Sequence, residues 1–435
     1  MKKLSICLFL ILSFTACNDS DVVLSAGDDA VPAPVDEEPS VVPIEEALEK
    51  LDAFMNSVNL VNTRSGMKRE VETVETHYGK DASGTRVAAI PDAYLVNFKN
   101  EEGFAVLGAN TSVTPIVAVT EKGSLEPGFL DMVFDDNPIT EDVDGNIIDL
   151  ATFDYYSEEY DDYYVMQTAP KKQLLQDFLK DGTGHVGGGH AIEYATCAPY
   201  LLSTNWSQGR WDLQEVYNRF CYKKKTFGGK KYVLAGCSTV AMASIVARNK
   251  YPTNLYVNDH LINYSEITKY ETPLQNKATE AMKEGVALLI GSIFHSVDPV
   301  FRWKAGTCIT PEEIKACFEK FGYTNVRKYG DSTFSPTLMK ATSDMLANRK
   351  PVFVSAMPLG KDGHSWVIDG SRYEGDDWNV HCKWGFYNGE CDGWYSTNCF
   401  KPDSDSANEY DEYTWHFRVV TYDIPTQSST ININF

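Results

Sequence analysis

The sequence predicts an α+β protein with two folded parts, and three features predict it. At 435 residues the chain is too long for one ordinary hydrophobic core. Apolar spacing near its start gives a helix and then a run of strands. The second half repeats that order on a larger scale, helical signals first and strands from Pro351 onward. Composition suits a folded protein, with 43% hydrophobic and 12% aromatic residues. The formal net charge of −22 repels nucleic acid and anionic lipid headgroups. The largest basic cluster, Lys223 to Lys225 with Lys230 and Lys231, reads as a solvated loop, so no nucleic-acid partner is expected.

The elements follow in chain order. Lys2 and Lys3 precede an apolar stretch, 4–14, too short to span a bilayer as a mature helix and suited to an export signal. Phe14-Thr-Ala-Cys17 is similar to a bacterial lipobox, whose cysteine is acylated and becomes the new N-terminus. Phe14 stands in place of the usual leucine there, and a plain secretory signal beside an unrelated cysteine is the alternative. On the first reading residues 1–16 are the signal, Cys17 carries the lipid, and 17–42 form a polar tether. The protein is then exported to the outer membrane or cell surface, with the lipid as its membrane contact.

Pro43 opens an amphipathic helix marked by Ile44, Leu48, Leu51 and Met55. Residues 94–98 and 104–107 flank a Gly-containing turn as a β-hairpin, and 115–119 add a strand. Residues 43–180 thus make a first, small α+β domain. Asp142 to Asn146 hints at a calcium loop, but its glycine stands fourth rather than sixth, which suits a turn. The glycine-rich run from Asp181 to His190 places a linker, open to proteolysis, at 181–196. The second domain is 197–435, with strands at 352–354, 365–368, 378–383 and 394–397.

Chemistry centres on the cysteines. Cys382 could pair with Cys391 or Cys399 in an exported protein, although spacing cannot choose between them. The absence of a CxxC pair argues against a structural zinc site, so no metal or cofactor is expected. Gly236 precedes Cys237, and good helix formers follow until Tyr251-Pro252. Cys237 therefore stands at a helix N-terminus, where aligned peptide dipoles favour thiolate over thiol. The local pattern fits a buried structural cysteine equally well. His364 begins a strand after Gly363, and 364 − 237 = 127 residues separate it from Cys237. That is near the roughly 130–150 of papain-like cysteine–histidine pairs. A strand-borne imidazole beside a helix-borne thiol is the nucleophile and base of acyl transfer.

Five motifs then stand in order: Asn205-Trp-Ser-Gln208-Gly209, Gly236-Cys237, Gly363-His364-Ser-Trp-Val-Ile-Asp-Gly370, His381-Cys-Lys-Trp384-Gly385-Phe386, and Asp392-Gly-Trp-Tyr395. Together they resemble the streptopain-like cysteine peptidases, family C10. The resemblance implies a papain-like catalytic domain, a helical lobe plus an antiparallel sheet lobe, preceded by a small α+β propeptide domain. It implies Cys237 as nucleophile, His364 as base, Gln208 as oxyanion donor and Trp384 as a shield over His364. It also implies protein or peptide substrates. The first domain would act as an intramolecular inhibitor that covers the cleft and holds the pair apart until cleavage near the linker. Lys383 stands where the family pattern has an asparagine to orient the histidine. A lysine has no acceptor and would disfavour a neighbouring imidazolium, so Asp369 or Asn379 becomes the candidate orienter. A catalytically weakened peptide-binding or adhesion lipoprotein, and an acyltransferase or amidase, are the competing functions on this scaffold.

Overall fold

A computed structural model describes residues 39–60, 68–80, 86–125, 139–141, 147–149, 194–208, 216–224, 230–297, 300–302, 306–331, 333–358, 363–374, 377–386, 389, 391–397, 400 and 413–435. The export signal, Cys17, most of the tether, the 142–146 turn, the run 181–190 and Cys399 lie outside the described residues.

The amphipathic helix α1 (Ile44–Ser57) buries Ala47, Leu51, Phe54 and Met55, the stripe its apolar spacing dictates. It lies against four strands, β1 (Val71–Lys80), β2 (Arg86–Phe98), β3 (Phe104–Gly108) and β4 (Ile116–Thr120). The expected hairpin is β2–β3, with Leu95 opposite Val106. Its turn closes through Gly103, at φ +106, where a Cβ would stand 2.3 Å from the Thr120 carbonyl oxygen. Only glycine fits that approach.

Six further strands come from the C-terminal half: β5 (Thr324–Asp331), β6 (Val352–Pro358), β7 (His364–Glu374), β8 (Asp377–Lys383), β9 (Gly393–Ser396) and β10 (Tyr413–Asp423). The ten strands form one sheet in the order β1-β2-β3-β4-β9-β8-β7-β6-β10-β5, antiparallel at every step. The join between the two parts is β4 against β9, with Val119 opposite Trp394 and Ala118 opposite Tyr395. The first part is therefore an extension of the second part's sheet.

Burial explains why β3 reads as a continuous apolar run. Phe104 and Val106 enter the large core of the C-terminal part, while Ala105 and Leu107 enter a second core beneath α1. A strand buried on both faces has no need of a polar alternation. Trp394 of β9 crosses the boundary into that second core and meets Phe54 edge-on at 6.1 Å. The Arg372 guanidinium lies over the same Phe54 ring at 5.4 Å.

The helical lobe contains α2 (Cys237–Asn249), α3 (Glu280–Phe294), α4 (Pro311–Lys320) and α5 (Pro336–Ala347). Every residue of α2 from 238 to 247 is buried, between α3 and the strands β6 and β7. A helix apolar all round belongs at such a centre. Thr310 and Glu313 close a capping box on α4.

Two expectations are corrected. The basic cluster is a hairpin rather than a loop: residues 222–224 pair with 230–232, and the Lys230 ammonium lies 3.8 Å from the Tyr222 ring. The facing lysine pairs oppose this ribbon, and the Tyr222–Tyr232 edge-on contact at 5.9 Å, with the Lys230 cation–π contact, favours it. Cys382 and Cys391 are not joined by a disulfide, and both are buried thiols. Cys382 is fixed mid-strand opposite Ile368 and Gly393, while Cys391 stands in the turn before β9 with φ 61.

Candidate active site

Gly236 shapes the nucleophile's position. At φ 83 and ψ 155 it turns the chain sharply into α2, so Cys237 is the first residue of the helix. The first-turn N–H groups of a helix have no intrahelical acceptor and carry partial positive charge. Burial raises the Cys237 thiol's pKa, but four contributions outweigh it and leave the pKa below the ordinary 9.0. They are the charge of His364, a hydrogen bond with His364, and backbone N–H groups of Ser365 and Ser238.

The contrast with the other cysteines is sharp. Cys237 is half-buried, whereas Cys197, Cys221, Cys317, Cys382 and Cys391 are all buried. Desolvation raises the thiols of Cys197, Cys221 and Cys382, and pushes Cys317 up to about 12. Among the described residues, accessibility and thiolate character coincide at Cys237.

His364 is the first residue of β7, opposite Ala356 of β6. Its Nε2–H donates to the Trp384 carbonyl oxygen at 2.7 Å, which leaves Nδ1 as the ring nitrogen that can exchange a proton with the thiol. A backbone carbonyl thus does the orienting work expected of an asparagine side chain. Asp369 does not orient His364. It accepts from the Leu202 N–H at 2.7 Å and stands 2.6 Å from His381 Nδ1. Asn379 lies opposite Arg372, eight residues (372 − 364) along β7 from His364. At strand rise that is about 26 Å away.

Lys383 likewise does not confront the imidazole. Its buried ammonium donates to Asn205 Oδ1 at 2.7 Å and pairs with Asp392 Oδ2 at 3.1 Å, above the Tyr200 ring. Successive strand residues point to opposite faces, so the side chain before Trp384 serves a different environment.

The remaining expected residues gather at the same end of the sheet. The Gln208 N–H donates to the Gly385 carbonyl at 3.0 Å, which brings this half-buried residue beside the Trp384 segment. The Trp384 ring lies 6.2 Å from His364 but packs more closely on Trp366, at 4.7 Å. Phe386 is nearer to the imidazole, stacked at 4.9 Å, so the shielding expected of Trp384 falls mainly to Phe386. Ser238 and Ser365 were not anticipated. Their hydroxyls meet at 2.9 Å and tie the first turn of α2 to β7 beside the dyad. Both flank the dyad in sequence, but backbone donors leave no trace in residue type. Among the described residues, no group of three or more His, Cys, Asp or Glu is placed to hold a metal ion.

The pair sits at the junction of a helix N-terminus and a strand, with a thiol whose pKa is lowered and an imidazole hydrogen-bonded to it. Residues 211–395, which carry both, match the model of the Peptidase C10 family. Over that stretch the chain is similar to the C10 peptidases. The α+β papain-like class, helical lobe against antiparallel sheet, is the fold observed. A solved fragment of Prevotella intermedia prointerpain A, a Cys-to-Ala mutant, is similar with a TM-score of 0.49 and 17% identity. The match covers 81% of this chain and 100% of that one. No curated protein is significantly similar in sequence.

The described part of the N-terminal domain does not part the dyad, contrary to expectation. It joins the sheet at β9, two strands from β7, and the thiol–imidazole contact exists with it in place.

Proposed function

We propose that the chain is a cysteine endopeptidase made as a zymogen, exported and lipid-anchored through Cys17, with residues 43–180 as an inhibitory leader. The supporting observation is a thiol lowered in pKa chiefly by His364, whose imidazole is itself oriented by the Trp384 carbonyl.

In this reading Cys237 thiolate attacks the scissile carbonyl of a protein or peptide. The resulting oxyanion meets the Cys237 N–H at the head of α2 and the Gln208 side-chain amide, and one such donor is worth about 2.7–4 kcal/mol. Protonated His364 then gives its Nδ1 proton to the leaving amine, which leaves a thioester on Cys237. Water, deprotonated by the same Nδ1, hydrolyses the thioester and restores the pair. Throughout, Nε2–H stays on the Trp384 carbonyl and keeps the ring in plane with both partners. The leader holds its place by burial of Trp394 and by the β4–β9 pairing.

The test expresses the chain without its signal and tether, as wild type and as Cys237→Ala. Wild type is expected to shorten itself between residues 165 and 195 and to be labelled at Cys237 by an epoxysuccinyl inhibitor, the variant to do neither. Iodoacetamide should alkylate Cys237 with a midpoint below pH 9.0, and His364→Ala should move that midpoint up. Absence of shortening and labelling, even after another protease removes the leader, refutes the reading.

A further inference from the structure

The Trp384 peptide is held from both sides. Its carbonyl accepts from His364 Nε2 at 2.7 Å, and its N–H donates to Asp392 Oδ1 at 2.9 Å. The other oxygen of that carboxylate receives the Lys383 ammonium at 3.1 Å, and Lys383 continues to Asn205 at 2.7 Å. The whole chain of contacts is buried: Asp392 is 2% exposed, Trp384 0%, Lys383 6% and Asn205 5%. The residue after Trp384, Gly385, has φ 75, so the backbone leaves β8 in a sharp turn at this point. Without an anchor, a peptide at such a turn is free to rotate about its flanking bonds, and its carbonyl with it.

We propose that Asp392 is a positioning residue for the peptidase reaction, clamping the Trp384 peptide so that its carbonyl holds His364 in line with Cys237, with Lys383 as the counter-charge that lets the carboxylate stay buried. The proposal rests on the peptidase reading above. It also accounts for lysine at 383. A carboxylate closed off from water needs a partner, and an asparagine there would leave it without a cation. Asp392 touches neither thiol nor imidazole, so its influence passes through the Trp384 peptide group alone.

The test uses the leader-containing chain after activation, as Asp392→Ala, Asp392→Asn, and Asp392→Asn combined with Lys383→Met. In Asp392→Ala the carbonyl loses its anchor, and kcat on a peptide substrate is expected to fall about 100-fold with KM within a factor of about two. The pH midpoint of Cys237 alkylation should move up toward the ordinary thiol value, because a wandering imidazole no longer supports the thiolate. The double variant keeps an amide oxygen for the Trp384 N–H and removes the stranded ammonium. It should recover at least about tenfold of the lost kcat. Alkylation reads the thiol without requiring turnover, so an unchanged alkylation midpoint in Asp392→Ala overturns this proposal whatever the activity. An inactive wild type with a shifted variant midpoint would instead refute the peptidase reading and leave the positioning role standing. Should Asp392→Ala fail to fold, the double variant decides: a wild-type kcat and midpoint support the clamp, and a low kcat with a wild-type midpoint overturns it.

Discussion

Replacing Glu121 by glutamine should weaken the leader's hold on the catalytic part below pH 6.5 and flatten its pH dependence. Glu121 follows β4, and its Oε1 lies 3.5 Å from His381 Nε2, with both side chains buried. On the other side of the ring, Asp369 of β7 meets Nδ1 at 2.6 Å. Tyr200 stacks on the ring at 3.9 Å, Trp394 of β9 meets it at 5.2 Å, and Lys383 lies beyond Tyr200. Burial alone would lower the imidazole's pKa, but the two carboxylates outweigh it and hold the pKa above 6.5. A raised pKa in the docked state means stabilisation that is complete below 6.5 and is lost as pH climbs through the docked value.

The magnitude follows from the geometry. Glu121 Oε1 and His381 Nε2 stand 3.5 Å apart as a buried ion pair without a hydrogen bond, comparable at most with the weakest charged hydrogen bond, about 1.5 kcal/mol. Asp369 keeps its shorter bond in the variant, so the loss should be about 1.5 kcal/mol, or about 2 °C in melting temperature for a chain of this length. The assay is thermal unfolding of the Cys237→Ala chain, with and without Glu121→Gln, between pH 5.5 and 8.5. The two curves should converge as pH rises. Parallel curves across the whole range would refute the assignment of this pH dependence to the Glu121–His381 contact.

Two further outcomes test the shared sheet. Gly393→Ala places a Cβ 2.4 Å from the Val119 carbonyl oxygen, with Thr120 Cα 2.6 Å away, so β4 must part from β9. After nicking in the 181–196 region, wild-type leader should co-elute with the catalytic part on gel filtration, and the variant's leader should separate. Phe54→Ala empties a fully buried site against Trp394 and should cost about 3–5 kcal/mol, read as a lower midpoint in urea unfolding.

Much of this architecture is legible in sequence because it rests on local rules. The stripe from Ile44 to Met55, the hairpin around Gly103 and the glycine before Cys237 each fix backbone geometry within a few residues. The pairing of Cys237 with His364 required two such local signals and a separation. Non-local facts were hidden. Nothing in residues 116–120 announces that their partner is a strand nearly three hundred residues later. Lys383 looked harmful because it stands where the family pattern has an asparagine that orients the histidine. The face on which a strand residue points depends on register, and register placed its ammonium on Asp392 instead. The acceptor for His364 is a backbone carbonyl, and a carbonyl is the same in every residue type.

The join at β9 also bears on what leader removal does to the dyad. Asp392 receives the Glu121 N–H on its backbone oxygen at 2.8 Å and the Trp384 N–H on its side chain. A contiguous line therefore runs from the leader through Asp392 and Trp384 to His364. Contiguity alone does not make coupling; a part with two arrangements is needed. Here the carboxylate keeps Lys383 and Trp384 after the leader departs, and only the backbone oxygen loses its partner, which water replaces at a newly open strand edge. The dyad should consequently survive excision with its geometry intact. On the zymogen reading, the alkylation midpoint of Cys237 should therefore be the same before and after the leader is removed.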